Sequence, residues 1–146
     1  MIRFFTGIFT FILVLVNALF VIFVVTPLGL LRFIPIKPFQ IFILRINEKF
    51  GELYLFFNSR LQDLMHKSKF EVHGQEKLKK DMWQFTTINH LSWADIFVYL
   101  YFCNYRQGVP RIFMKSQLWW LPITWTANLG LAMPFVVRRS KEAIKA

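Results

Sequence analysis

The sequence predicts an α/β domain that is attached to a membrane by an N-terminal helix. Residues 4–31 form a long apolar run without a charge, and the apolar residues of 40–64 recur at helical spacing. After Lys67, short extended patterns alternate with helical ones, which is typical of strands and helices packed in layers. We therefore divide the chain into a membrane anchor (1–31), a helical segment (32–67) and an α/β part (68–146).

The composition places the chain at a membrane rather than on nucleic acid. Hydrophobic residues make up 55% of the 146 residues, and the formal charge is +10, from 18 Lys and Arg against eight Asp and Glu. A basic chain could bind nucleic acid or an anionic surface. However, a nucleic-acid module rarely contains a long uncharged run of Phe, Val and Leu, whereas basic residues beside such a run are expected on an anionic leaflet. We expect an anionic membrane as a partner and no nucleic acid.

The apolar core Ile8–Val25 is long enough to span about 30 Å of hydrocarbon as a helix. A cleavable signal peptide would have a shorter apolar region ending at a small-residue cleavage site, which the sequence lacks. Only Arg3 precedes the run, whereas Arg32, Lys37 and further basic residues follow it, so the positive-inside rule places the rest of the chain in the cytoplasm. The next helix, Gln40–Leu64, either lies in the membrane interface or packs on the α/β part.

Four later segments are typical of short strands, because they alternate or are rich in β-branched and aromatic residues. These segments are residues 70–74, 83–88, 111–115 and 132–137. A buried helix is predicted from Ser92 to Asn104, and a short helix from Gln117 to Leu121 is predicted to end at Pro122. The single cysteine, Cys103, excludes an internal disulfide and is expected to be a small buried side chain.

The chemistry of the chain is concentrated in residues Asn89 to Asp95, which read Asn-His-Leu-Ser-Trp-Ala-Asp. An imidazole is a usable general base near neutral pH, and a carboxylate at its second nitrogen would fix the tautomer and stabilise the imidazolium. If Ser92 caps the following helix, Asp95 falls in the first turn, where free amides favour a carboxylate. His90 and Asp95 could then face one cleft. The alternative is a hydrogen-bonded histidine at a strand end and an ordinary helix-start carboxylate.

This motif, Asn-His-x-Ser-Trp-x-Asp, resembles the first motif of the glycerol-3-phosphate and lysophospholipid acyltransferase family. It is most similar to the bacterial membrane-bound 1-acyl-glycerol-3-phosphate acyltransferases. The segment 135–138, Phe-Val-Val-Arg, resembles the second motif of the family, although the usual glycine of that motif falls at Ala132. The segment 115–118, Lys-Ser-Gln-Leu, with Pro122 loosely resembles a Lys-x-x-Leu…Pro segment of the family.

The resemblance implies transfer of a fatty acyl group from acyl-CoA or acyl-carrier protein to the free hydroxyl of a lysophospholipid, such as 1-acyl-glycerol-3-phosphate. His90 would be the base, Asp95 its orienting carboxylate and Arg138 the phosphate ligand, with Asn89 and Lys115 as further motif residues. Arg138 could instead belong to a basic pair facing water at a strand end. No bound cofactor is implied, and the three histidines lack spacing typical of a zinc site.

The resemblance also implies a location at the bacterial inner membrane, with the catalytic part facing the cytoplasm. The third and fourth motifs of the family would lie beyond Ala146, so we expect the chain to be the front half of such a domain. The alternative is a catalytically inactive, membrane-bound remnant. Tryptophans 119, 120 and 125 fit anchoring at the membrane interface, with a specific acyl-chain site as the alternative.

Overall fold

The computed structural model describes residues 2–65, 71–74, 76 and 84–137, and in this part the chain is mostly helical. The helices are α1 (Ile2–Leu30), α2 (Lys37–Met65), α3 (Trp93–Arg106) and α4 (Pro122–Leu131). Two short strands, β1 (Met114–Lys115) and β2 (Phe135–Val136), pair in parallel. Single 3-10 turns occupy Leu31–Phe33 and Ser116–Trp120.

The chain forms two compact units. The first contains Met1–Asn17 and Glu52–Pro110, and the second contains Ala18–Gly51 and Arg111–Ala146. Each of the long helices α1 and α2 therefore contributes one part to the first unit and one part to the second. The predicted site residues His90 and Asp95 belong to the first unit, and Lys115 belongs to the second.

Helix α1 confirms that the chain has an apolar helix long enough to cross a membrane. The candidate span, Phe4–Phe33, has a mean hydropathy of 3.0, and only 11% of its most apolar window is buried inside the protein. Pro27 lies inside α1, close to its C-terminal end, where it cannot donate the backbone hydrogen bond to the carbonyl of Phe23. The large apolar side chains on the outside of α1 are therefore available to lipid.

In the second unit, two glycines allow helices to approach closely. A Cβ atom at Gly29 in α1 would lie 2.8 Å from the carbonyl carbon of Leu129 in α4. A Cβ atom at Gly130 in α4 would overlap Cγ1 of Val25 and would lie 3.5 Å from Nδ2 of Asn47 in α2. Gly130 therefore marks the point where α1, α2 and α4 meet, and a larger residue there would push the helices apart.

The strand–helix–strand order predicted for residues 111–137 is present, since α4 connects the parallel strands β1 and β2. Met114 pairs with Phe135 and Lys115 with Val136, and the amide of Met114 donates to the carbonyl of Pro134 at 3.0 Å. The α/β prediction is thus confirmed only for the short segment that contains β1, α4 and β2. A complete α/β domain is not present in the described part of the chain.

The predicted strands 70–74 and 83–88 are wrong where the structure describes them, because residues 71–74 and 84–88 belong to no strand. Residues 84–90 are also exposed on both faces. An alternating pattern favours an extended backbone, but a strand forms only when a neighbouring strand supplies hydrogen bonds. Phe70 and Trp83, the first residues of these two segments, lie outside the described residues.

Two predicted boundaries around α4 are also corrected. Pro122 begins α4 rather than ending the preceding turn, because a fixed φ and a missing amide hydrogen suit the first position of a helix. Ala132 does not begin a strand, because it ends α4 in the left-handed region with φ 53°. The amide of Met133 donates back to the carbonyl of Ala127 at 3.1 Å, and β2 starts only at Phe135.

Candidate active site

The first turn of α3 brings together the two residues that the sequence predicts as a catalytic pair. Ser92 has an extended backbone and is the N-cap of α3, which makes Asp95 the third residue of the helix. Nδ1 of His90 lies 3.5 Å from Oδ2 of Asp95. The helix start that the sequence predicts is therefore confirmed, and it places the imidazole and the carboxylate side by side.

The same carboxylate oxygen also orders the backbone that carries His90. The amides of Leu91 and Ser92 each donate to Oδ2 of Asp95 at 2.7 Å. These contacts are shorter than the 3.5 Å between the same oxygen and Nδ1 of His90. Asp95 is therefore a helix-start carboxylate that also lies beside the imidazole of His90.

The electrostatics of Asp95 favour the ionised form. Hydrogen bonds from the amides of Ser92 and Leu91, with a smaller contribution from His90, hold the pKa of Asp95 below its ordinary value of 3.8. At neutral pH the side chain is a carboxylate that can accept a hydrogen bond from Nδ1–H of His90. A hydrogen bond from Nδ1 to this carboxylate would leave the lone pair on Nε2.

The pair is open to solvent on its outer side. The side chain of His90 is 51% exposed and that of Asp95 is 35% exposed. Two apolar side chains nearby in the sequence are also exposed, since Leu91 is 95% exposed and Phe85 is 82% exposed. The imidazole is therefore accessible from solvent, and the same loop carries exposed apolar side chains.

Sequence reasoning missed a second polar cluster, which holds α3 on α2 in the first unit. The hydroxyl of Tyr101 donates to Oδ1 of Asp63 at 2.7 Å, and the hydroxyl of Tyr105 donates to Oδ2 at 2.8 Å. Arg60 lies 3.9 Å from the same carboxylate. The signal in the sequence is the spacing of the two tyrosines, which places them on one face of a helix. No pattern in the sequence around Asp63 identifies it as the acceptor of the two tyrosine hydroxyls.

This cluster shifts the titration of its members in opposite directions. The hydroxyl of Tyr101 lowers the pKa of Asp63, and that carboxylate in turn raises the pKa of Tyr101. Partial burial, followed by the hydrogen bond to Asp63, raises the pKa of Tyr105. The contact between α2 and α3 is therefore made by a charged acceptor and two neutral donors across a wide pH range.

Cys103 is buried in α3, as the sequence predicts. Burial raises the pKa of this thiol to about 11. Since the thiolate is the reactive form of cysteine, Cys103 is a packing residue and not a nucleophile at neutral pH.

The remaining predicted residues are Asn89, Lys115 and Arg138. Asn89 precedes His90 in the same exposed loop. Lys115 ends β1 in the second unit, and Arg138 lies outside the described residues. Among the residues that the structure describes, no group of three or more His, Cys, Asp or Glu side chains could hold a metal ion.

Comparisons with protein-family models, with curated proteins and with solved structures found no match to this chain. The acyltransferase hypothesis therefore depends on the motif residues and on the geometry of the His90–Asp95 pair.

Proposed function

We propose that the protein belongs to an acyltransferase system that moves a fatty acyl group from a thioester to the free hydroxyl of a lysophospholipid. The observation that supports this most directly is the His90–Asp95 pair, at 3.5 Å, at the start of α3. A base of this kind suits direct attack by a hydroxyl, which needs no covalent enzyme intermediate.

In the proposed reaction, Nε2 of His90 removes the proton of the acceptor hydroxyl. The oxygen forms a bond to the thioester carbonyl carbon, and the resulting tetrahedral intermediate expels the thiolate. The proton held by His90 passes to this thiolate, so that the products are an ester and a free thiol. Asp95 stabilises the imidazolium that exists between the two proton transfers.

The phosphate of the acceptor would be bound by Arg138, because a guanidinium pairs with phosphate oxygens in a bidentate manner. Lys115 and Asn89 are further residues of the family pattern, and neither takes part in a step of the proposed reaction. The donor is acyl-CoA or acyl-carrier protein, and the proposed acceptor is 1-acyl-glycerol-3-phosphate, which would give phosphatidate.

We place α1 in the bacterial inner membrane, with the catalytic part at the cytoplasmic face. One contact of α1 bears on how deep this helix can lie in the bilayer. Nδ2 of Asn17, near the middle of the apolar run, donates to the carbonyl of Tyr54 at 3.4 Å. A complete crossing would carry this part of α2, with Glu52 and Arg60, towards the bilayer centre, where each charge costs about 2.5–3.5 kcal/mol on insertion scales. This contact weighs against a complete crossing.

Cysteine labelling in intact cells tests the placement. A complete crossing with the predicted orientation makes a cysteine introduced at Thr6 reactive to an impermeant reagent from the periplasm. A helix that lies along the cytoplasmic leaflet leaves it protected until the membrane is opened. Release of the protein by alkaline carbonate would contradict both placements.

The activity is tested by measuring free thiol released from acyl-CoA in membranes, with and without lysophosphatidate. We expect release that depends on the lysophospholipid and that is lost in His90→Ala while membrane association is kept. Release that does not depend on the acceptor would indicate a thioesterase. Equal release from wild-type and His90→Ala protein would leave a non-catalytic membrane protein as the better description.

A further inference from the structure

The second unit contains a stretch that is suited to the membrane interface. From Ser116 to Val137 the sequence contains no charged residue. Within it, Trp119 is 61% exposed and Trp120 is 66% exposed. Tryptophan is enriched where a bilayer meets water, because the indole ring combines an apolar body with one N–H donor. We call residues 116–125 the tryptophan turn.

Three carbonyl groups of the tryptophan turn accept hydrogen bonds from side chains of the same segment. The hydroxyl of Thr124 lies 2.7 Å from the carbonyl oxygens of both Leu118 and Leu121. Nε1 of Trp125 donates to the carbonyl of Trp119, and the two indole rings are stacked with centroids 6.3 Å apart. Carbonyl groups that already have donors can leave water at a much lower cost than free ones.

Helix α4, whose first four residues belong to the tryptophan turn, is fixed on the C-terminal part of the apolar helix α1. Thr26 and Thr126 share a hydrogen bond of 2.7 Å between their hydroxyl groups. Nη1 of Arg32 donates to the carbonyl of Leu129 at 2.8 Å, close to the C-terminus of α4. Since Gly29 and Gly130 also bring the two helices into contact, membrane association of α1 brings α4 to the membrane as well.

The charge of the second unit matches an anionic surface. Its described residues, 18–51 and 111–137, contain one acidic residue, Glu48, which pairs with Arg111. The basic residues in these ranges are Arg32, Lys37, Arg45, Lys49, Arg111 and Lys115. Lys115 directly precedes the tryptophan turn. An uncharged aromatic segment flanked by basic residues is the pattern that anionic lipid headgroups attract.

We propose that the tryptophan turn and α4 insert into the headgroup–acyl boundary of an anionic bilayer and form a second membrane contact beside α1. The indole rings lie roughly 5–10 Å below the surface, which is the depth typical of interfacial segments. This inference rests on membrane association of α1 and not on the acyltransferase chemistry.

The test is depth-dependent quenching of tryptophan fluorescence. The full-length chain with Trp83→Phe and Trp93→Phe keeps only the three tryptophans of the turn, and it is reconstituted in phosphatidylcholine vesicles that contain phosphatidylglycerol. We expect strong quenching by lipids brominated close to the carbonyl end of the chain, weaker quenching by lipids brominated at the chain end, and little quenching by aqueous iodide. Quenching by iodide without quenching by either bromolipid would overturn the proposal.

Two further measurements separate the ways in which the proposal can fail. Carbonate-resistant flotation with the vesicles reports insertion of α1. If the chain floats but its tryptophans are quenched by iodide, the membrane contact of the tryptophan turn is refuted and that of α1 is not. Quenching by a brominated acyl-CoA in detergent, without quenching by bromolipids, would assign the tryptophans to an acyl-chain site instead.

The variant Thr124→Val removes the hydroxyl that lies near the carbonyls of Leu118 and Leu121 while keeping nearly the same shape. These carbonyls keep the amides of Leu121 and Thr124 as donors. We expect a small red shift of the emission and a small increase in iodide quenching, because each carbonyl loses its second hydrogen-bonding group. Thr10→Val is the matched control, since its hydroxyl bonds only within α1, to the carbonyl of Thr6 at 2.8 Å.

Discussion

Replacing Asp95 by Asn tests whether its carboxylate serves His90 or only the start of α3. The side-chain carbonyl of Asn can still accept the amides of Leu91 and Ser92, which now reach Oδ2 at 2.7 Å. The helix start is therefore kept, and the change that matters is the loss of the charge beside the imidazole. Asp95→Ala removes both functions and serves as the comparison.

The distance of 3.5 Å sets the size of the effect. At this distance, loss of the charge would disfavour an imidazolium by about sevenfold at the permittivity of water and by about 3 × 10³-fold at the effective permittivity of a protein surface. Since the side chains of His90 and Asp95 are 51% and 35% exposed, we expect screening to be strong. The expected loss in kcat/KM is about 10–100-fold for Asp95→Asn, against about 10²–10⁴-fold for His90→Ala.

The assay is thiol release from acyl-CoA in the presence of lysophosphatidate, in a chain shown to be active. Glu71→Gln is the matched control, because Glu71 lies 3.4 Å from His73 in an exposed pair outside the motif, and its loss should not change turnover. The double variant His90→Ala/Asp95→Asn should be no slower than His90→Ala alone, since the carboxylate acts through the imidazole. Wild-type turnover in Asp95→Asn, or fully additive losses in the double variant, would refute a catalytic role for the carboxylate.

Three further predictions concern other parts of the chain. Arg138→Ala should raise the KM for the lysophospholipid and leave that for acyl-CoA unchanged, and a rise confined to the thioester would contradict phosphate binding. Because the hydroxyl of Tyr101 lowers the pKa of Asp63 below 3.8, the stability that Asp63 contributes is present above this pH and is lost as the pH falls through the lowered value. The free energy of unfolding of Asp63→Asn, measured by circular dichroism, should therefore depend less on pH in this acidic range than that of wild type. Equal pH dependence of the two proteins would show that Asp63 does not couple α2 to α3. Gly130→Ala should destabilise the protein by about 1–3 kcal/mol through overpacking, whereas Gly7→Ala, with open space around it, should stabilise α1 by roughly 0.5–1 kcal/mol in the same detergent unfolding experiment.

The sequence determined the features that depend on neighbours along the chain. A long uncharged run is helical in any apolar surrounding, because a helix satisfies its own backbone, and α1 follows from this. The Ser92 cap and Asp95 are three residues apart, so one turn of helix brings the carboxylate back to the amides that precede it. His90 lies within the same short segment. The pair could therefore be predicted without knowledge of any distant contact.

Tertiary structure alone decided the features that join distant segments. Residues 84–88 have the composition of a strand but form no strand, whereas Met114 and Phe135 pair because α4 turns the chain back between them. The acceptor of Tyr101 is Asp63, which lies on another helix and has no pattern that marks it. Gly130 likewise shows its role only where three helices meet. These contacts depend on which surfaces pack together, and packing is set by the shape of the whole unit rather than by the periodicity of any one segment.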